Sequence, residues 1–105
     1  MTVARLTELL SGSGDPRSAA RDASIVWRVV VDKRLRRQVA QAELISISRI
    51  RQREARAMHR LARHFPDTWT EADMLTCPEA LLEALRAWKH RTRSGLTIAD
   101  SPRSD

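Results

Sequence analysis

The sequence predicts an all-α fold in the form of a small bundle of about four helices. Neither glycine nor proline occurs between Arg17 and Phe65, and their absence permits long uninterrupted helices. Apolar residues in this stretch recur at steps of three and four, which is the spacing of one face of a helix. The β-branched run "SIVWRVVV" has no partner strand elsewhere in the chain, so it too is interpreted as a buried helical segment.

Length and composition indicate one domain with a modest core. The chain has 105 residues, of which 42% are hydrophobic and 4% aromatic. These fractions are low for a self-sufficient core, and we therefore expect a homodimer whose subunits share core residues. The three tryptophans are expected to supply much of the buried area.

The charge balance favours a polyanionic partner. The formal net charge is +6, and all of the 19 basic residues except Lys33 and Lys89 are arginine. Nucleic acid is the partner that such an excess favours. The alternative is a compositional bias toward arginine and alanine, as in a GC-rich genome, in which case the arginines form only solvated helix surfaces.

The expected compartment is the cytoplasm. The single cysteine, Cys77, has no second cysteine with which to form an internal disulfide. The sequence contains neither an apolar run long enough to span a membrane nor a signal-peptide pattern. We therefore expect no membrane partner.

Helix-breaking glycine and proline residues divide the chain into three parts. Residues 1–14 are predicted to be a short helical arm and a hinge, because "TVARLTELL" has helical spacing and "SGSGDP" interrupts it. Asp15 and Pro16 then give the signal of a helix start. Residues 15–92 are expected to form the helical domain, and residues 93–105 a disordered tail.

The spine of the predicted bundle runs from residue 17 to residue 65. The apolar spacing changes around "ELISISRI", and Ser46 precedes a new periodic stretch as a helix cap would. We therefore predict a break near residues 43–46, within a helix-turn-helix at 35–64. The competing prediction is one continuous helix of about 45 residues.

Two further helices are predicted after Pro66, and residues 67–91 are expected to pack against the spine. "DTWTEADML" indicates a single short turn, and "TCPEALLEALRAWKHRT" a longer helix. Thr76 and Glu79 have the spacing of a capping box at the start of that longer helix. Trp69 and Trp88 lie in apolar patterns and are interpreted as core residues rather than as stacking platforms for single strands.

A dense cluster of arginines follows the predicted break. Arg49, Arg53, Arg56, Arg60 and Arg63 keep steps of three and four and are expected to lie along one outward face. Apolar residues of the same segment would occupy the opposite face and rest on the bundle. The second basic run, "WRVVVDKRLRR", is interpreted as a solvated face around a core of Trp27, Val30, Val31 and Leu35, although it could add phosphate contacts.

The residue types in the cluster suit duplex DNA. Arginine forks match phosphate oxygens and the O6 and N7 edge of guanine, and Gln52 has the amide geometry that reads adenine. Ser46 and Ser48 could offer hydroxyls or backbone N–H groups to a phosphate. The predicted DNA-binding residues are Ser46, Ser48, Arg49, Arg51, Gln52, Arg53, Arg56 and Arg60.

The run "RIRQREARAMHRL" resembles the recognition helix of the promoter-reading C-terminal helix-turn-helix of bacterial sigma factors. The resemblance covers residues 39–63. It implies that Arg51 and Gln52 face bases, whereas Arg49 and the serines face the DNA backbone. Ile47 and Ser48 stand where that family has an arginine and a glutamate, and Arg53 stands where it has an apolar residue that packs inward.

The sequence therefore predicts a DNA-binding protein, acting as a dimer in transcriptional regulation or in the maintenance of a mobile element. The alternative is a helical protein-interaction module, such as an adaptor, an antitoxin-like partner or a factor that binds RNA polymerase. An enzyme, a metal site and a cofactor are not expected, because the acidic residues and histidines are scattered. An arginine-lined pocket could still act on an anionic small molecule.

Overall fold

Residues 1–13 and 15–94, which the computed structural model describes, form six α-helices and no strand. The all-α prediction is confirmed, but six helices replace the expected four or so. The helices are α1 (Val3–Leu10), α2 (Pro16–Val26), α3 (Arg36–Glu43), α4 (Ile47–His64), α5 (Glu71–Thr76) and α6 (Glu79–Ser94).

The first two helices begin at side-chain caps. The Thr2 hydroxyl accepts a hydrogen bond from the Arg5 backbone N–H at 3.1 Å, and the Asp15 carboxylate accepts one from the Arg17 N–H at 3.2 Å. Pro16 occupies the first turn of α2, where its missing N–H leaves no hydrogen bond unmade. The predicted helix start at Asp15 and Pro16 is confirmed.

The spine of residues 17–65 is broken twice, not once. After α2 the chain makes a wider helical turn over Trp27–Val31, closed by a bond of 3.0 Å from the Asp32 N–H to the Trp27 carbonyl. Lys33 then takes a left-handed φ of 61°, and α3 begins only at Arg36. This first break was not predicted, because no glycine or proline marks it. Leu35, expected in the core, is 55% exposed.

The second half of the chain contains the short helix and the longer helix that were predicted. The capping box, however, belongs to α5: the Thr70 hydroxyl accepts from the Asp73 N–H at 3.1 Å, and the Asp73 carboxylate from the Thr70 N–H at 2.9 Å. Thr76 is the last residue of α5, and its hydroxyl donates to the Ala72 carbonyl at 2.7 Å. The prediction that Thr76 and Glu79 form a capping box was wrong.

The main core lies between α1, α2, α4 and α6. Its central side chains are Leu6, Ala23, Val26, Met58, Leu61, Leu81 and Leu85, each at most 2% exposed. The first helix, expected to be a separate arm, supplies Leu6 and Leu10 to this core. Trp69 is buried there, as predicted, and meets Phe65 edge to face at 4.9 Å.

A second, smaller cluster positions the candidate site. It consists of Ile25 from α2, Val39 and Ala40 from α3, and Ile50 from α4, and all four are at most 4% exposed. These contacts hold α3 and the first turns of α4 against α2. Gly14 of the predicted hinge, and residues 95–105 of the predicted tail, lie outside the described residues.

Candidate nucleic-acid interface

A tight turn joins α3 to α4. Leu44 ends α3 in the left-handed conformation, with φ 59° and ψ 38°, and the Ile45 N–H donates to the Ala40 carbonyl at 3.2 Å. The Ser46 hydroxyl accepts a hydrogen bond of 3.1 Å from the Arg49 N–H and so caps α4. The predicted break at residues 43–46 and the capping role of Ser46 are confirmed, and the competing continuous helix was wrong.

An arginine–glutamate cluster fixes the end of α3 just before this turn. The Glu43 carboxylate accepts from Arg21 at 2.8 Å and from Arg28 at 2.7 Å, and Arg21 also donates to the Glu43 carbonyl at 2.8 Å. Burial alone would raise the pKa of Glu43, but the hydrogen bonds from Arg21 and Arg28 outweigh it and hold the pKa below its usual value. Glu43 therefore stays ionised and ties the turn to α2.

The N-terminal half of α4 presents polar and basic side chains to solvent. Ser48, Gln52 and Arg56 follow one another at steps of four and form one outward stripe, with Arg49 and Arg51 on either side of it. All five are exposed, as is Ser46 at the cap. The structure thus brings six of the eight predicted site residues onto one continuous surface, which we call the basic face.

Arg53 does not lie on the basic face. Its guanidinium donates to the Asp22 carboxylate of α2 at 2.8 Å, and the two side chains are 16% and 7% exposed. Within the described part of the chain, its Nε is buried and has no hydrogen-bond partner. The prediction of an outward Arg53 was wrong, because a buried carboxylate draws this cation toward α2.

The one acid of α4 is also neutralised. The Arg36 guanidinium of α3 donates to both carboxylate oxygens of Glu54, at 2.7 and 3.0 Å, and these bonds raise the pKa of Arg36. Among residues 1–13 and 15–94, no carboxylate forms an ion pair with Arg49, Arg51 or Arg56. The positive charge of the basic face is therefore available to an external anion.

Arg60, the last predicted site residue, lies one turn beyond Arg56 toward the C-terminal end of α4. It is half-buried and, together with Arg63 and His64, lines a cleft at the C-terminal end of α4. Sequence reasoning gave less weight to the other basic side chains near α3, namely Lys33, Arg34 and Arg37, which are all exposed. Their only sequence signal was the density of the run "WRVVVDKRLRR".

The described residues also bear on metal ligation, thiol reactivity and membrane spanning. No group of three or more His, Cys, Asp or Glu side chains in residues 1–13 and 15–94 could hold a metal ion. Burial raises the pKa of the Cys77 thiol to about 11, so at neutral pH it carries its proton and is a poor nucleophile. Within the same residues, no helix combines the length and the apolar character needed to cross a membrane.

Comparison with known proteins identifies no relative that could indicate what this surface binds. No protein-family model, no curated protein and no solved structure matches the chain.

Proposed function

We propose that this chain binds duplex DNA through a helix-turn-helix formed by α3 and α4, with α4 as the recognition helix. The main observation behind this proposal is the arrangement of charged side chains around α4. Its inward cation, Arg53, and its acid, Glu54, both have partners within the fold, whereas Arg49, Arg51 and Arg56 point to solvent without one in the described residues. A phosphate backbone is a matching counterion.

The stripe of α4 also suits base recognition. An α-helix fits the major groove, where arginine pairs with guanine and glutamine with adenine. Arg51 and Gln52 lie near the N-terminal end of α4, the end that enters the groove in helix-turn-helix proteins. In the proposed complex, Ser46 and Arg49 would contact backbone phosphates. The resemblance to sigma factors implies the same roles for Arg51 and Gln52, although Arg53, which was expected on the outward face, points inward.

In this proposal the protein acts as a homodimer, in transcriptional regulation or in the maintenance of a mobile element. A dimer would place two copies of α4 on half-sites about one DNA turn, or roughly 34 Å, apart. Two short binding surfaces then supply the affinity that one copy of an 18-residue helix lacks.

The test is a titration of labelled random duplex, of about 30 base pairs, at about 50 and 200 mM salt, followed by selection of preferred sequences from a random pool. We expect binding that weakens with salt and a preferred sequence bound at least about tenfold more tightly than random DNA. The variant Arg51→Ala with Gln52→Ala should lose this preference. Arg86→Ala removes one charge from an exposed position of α6 and is the matched control.

Three outcomes decide between the parts of the proposal. No binding at low salt would contradict DNA binding. Binding that ignores the double variant would leave DNA contact but remove the recognition role of α4. An equal loss in Arg86→Ala would show that only the overall charge matters.

A second candidate function is protein interaction without DNA contact. Its support is a set of exposed apolar side chains at the two ends of α3: Leu44 and Ile47 at the turn are 89% and 38% exposed, and Leu35 at the start of α3 is 55% exposed. A protein surface, such as that of RNA polymerase or a second copy of this chain, would cover them. Light scattering of the wild type and of Leu44→Ser tests self-association: a dimer that the substitution dissociates would support this interface, and a monomeric wild type would contradict the homodimer.

A further inference from the structure

A cleft of about 500 Å³ opens between α1 and the C-terminal end of α4. One wall comes from α1 and includes Leu9 and Leu10, and the opposite wall includes Arg60, Arg63 and His64. Its volume lies within the range of roughly 300–1,000 Å³ that is typical of small-molecule sites. The cleft begins one turn of α4 beyond Arg56, the last residue of the basic face.

The charges around the cleft leave a surplus of cations. Its acid, Glu8, is already bound by the Arg5 guanidinium at 3.0 Å. Arg5 in turn donates three bonds to Asp73, from Nε at 3.0 and 3.1 Å and from a terminal nitrogen at 2.8 Å. Across the residues that the structure describes, no carboxylate pairs with Arg60 or Arg63. These two guanidiniums line the cleft without an ion-pair partner among the described residues.

The cleft is also partly apolar. Leu9 is partly exposed and packs against the main core, whereas Leu10 is 3% exposed and offers little surface to a ligand. A ligand in the cleft would therefore meet hydrocarbon on the α1 side and guanidinium forks on the α4 side. Apolar lining with a few convergent charged groups is the usual composition of a site for a small organic molecule.

We propose that this cleft binds a small organic phosphate. The phosphate lies between Arg60 and Arg63, whose planar guanidinium groups match its oxygens, and the organic body lies against Leu9. The concave shape favours a small molecule over the convex backbone of a DNA duplex. This proposal goes beyond DNA binding and does not depend on it.

Calorimetric titration with three probes tests the site in the full-length protein. Phenyl phosphate carries both the anion and an apolar ring, inorganic phosphate only the anion, and benzyl alcohol only the ring. We expect saturable binding of phenyl phosphate and binding of each of the other two at least about tenfold weaker. Equal affinity for phenyl phosphate and inorganic phosphate would overturn the role of the apolar wall.

Two matched double variants locate the binding. Arg60→Gln with Arg63→Gln should weaken phenyl phosphate binding at least about tenfold, whereas Arg51→Gln with Arg56→Gln, the same charge change on the basic face, should leave it unchanged. If the first variant does not fold, the exposed Arg63→Gln alone replaces it, with an expected weakening of about threefold or more. No saturation by about 10 mM phenyl phosphate, or an equal loss in both double variants, would overturn the proposal.

Discussion

Arg53 of α4 and Asp22 of α2 form an ion pair at 2.8 Å that is almost withdrawn from solvent, the two side chains being 16% and 7% exposed. A charge left alone at such a position has lost its hydration without gaining a partner. Together with the buried Ile50, Met58 and Leu61, this pair fixes which side of α4 faces the bundle and leaves the remaining arginines of the N-terminal half on the outside.

Removal of one member of this pair should destabilise the fold. We expect Arg53→Ala to lower the free energy of unfolding by about 3 kcal/mol, because Asp22 would remain buried without its ion-pair partner. Arg56→Ala, a neighbouring exposed position, should change it by less than about 0.5 kcal/mol. Urea unfolding followed by circular dichroism measures both. Equal stability of the two variants would show that the Arg53 pair contributes nothing to folding.

Replacement of Leu44 by glycine should stabilise the fold. Its φ of 59° is unfavourable for a side chain with a Cβ, and its side chain is 89% exposed, so little packing is lost. We expect Leu44→Gly to raise the free energy of unfolding by about 1 kcal/mol. Ala20→Gly, at an exposed position inside α2, should lower it by about 1 kcal/mol. Thermal unfolding measures both variants. A change of the same sign in their free energies of unfolding would contradict this account.

Acid should weaken the contact between α1 and α5. The hydrogen bonds from Arg5 hold the pKa of Asp73 at about 2 despite its burial, and those with Thr70 add to the effect. Since the ordinary pKa of aspartate is about 4, this stabilisation is complete above pH 4 or so and is lost as the pH falls toward 2. The difference in unfolding free energy between the wild type and Asp73→Asn should therefore shrink over that interval. Arg5→Met should flatten the same acid dependence, and a variant that kept the wild-type profile would contradict the assignment to this pair.

The salt dependence of DNA binding should identify the backbone contacts. Arg49→Ala and Arg56→Ala should each reduce the slope of log affinity against log salt by about 1, since each loses one phosphate contact. Affinity for random and preferred sequences should fall by the same factor. Arg86→Ala should keep the wild-type slope, and a reduced slope in that variant would argue against a localised interface.

Features that depend on neighbouring residues could be predicted from the sequence. The cap at Ser46 is a bond to the N–H three residues on, and the change of apolar spacing around residues 43–46 is visible in the same few positions. The helical character of "SIVWRVVV" followed from the absence of partner strands, and helix α6 from its own apolar face. These elements use contacts within one or two turns, where residue type decides the conformation.

The first break of the spine had no such signal. Lys33 adopts a left-handed φ of 61° that a lysine does not favour, and packing of the flanking helices must impose it. The bond from the Arg34 N–H to the Arg28 carbonyl, at 2.9 Å, closes this turn. Spacing alone could not distinguish it from a continuing helix.

The sequence by itself determined an all-α chain with a capped, arginine-rich helix after Ser46, because propensity, capping and periodicity act over a few residues. Only the tertiary structure decided which arginines face outward. Asp22 is 31 residues from Arg53 and Glu54 is 18 from Arg36, and such partners are brought together by the packing of helices rather than by local preference. The same packing of α1 against α4 created the cleft at Arg60, which no spacing along the chain could show.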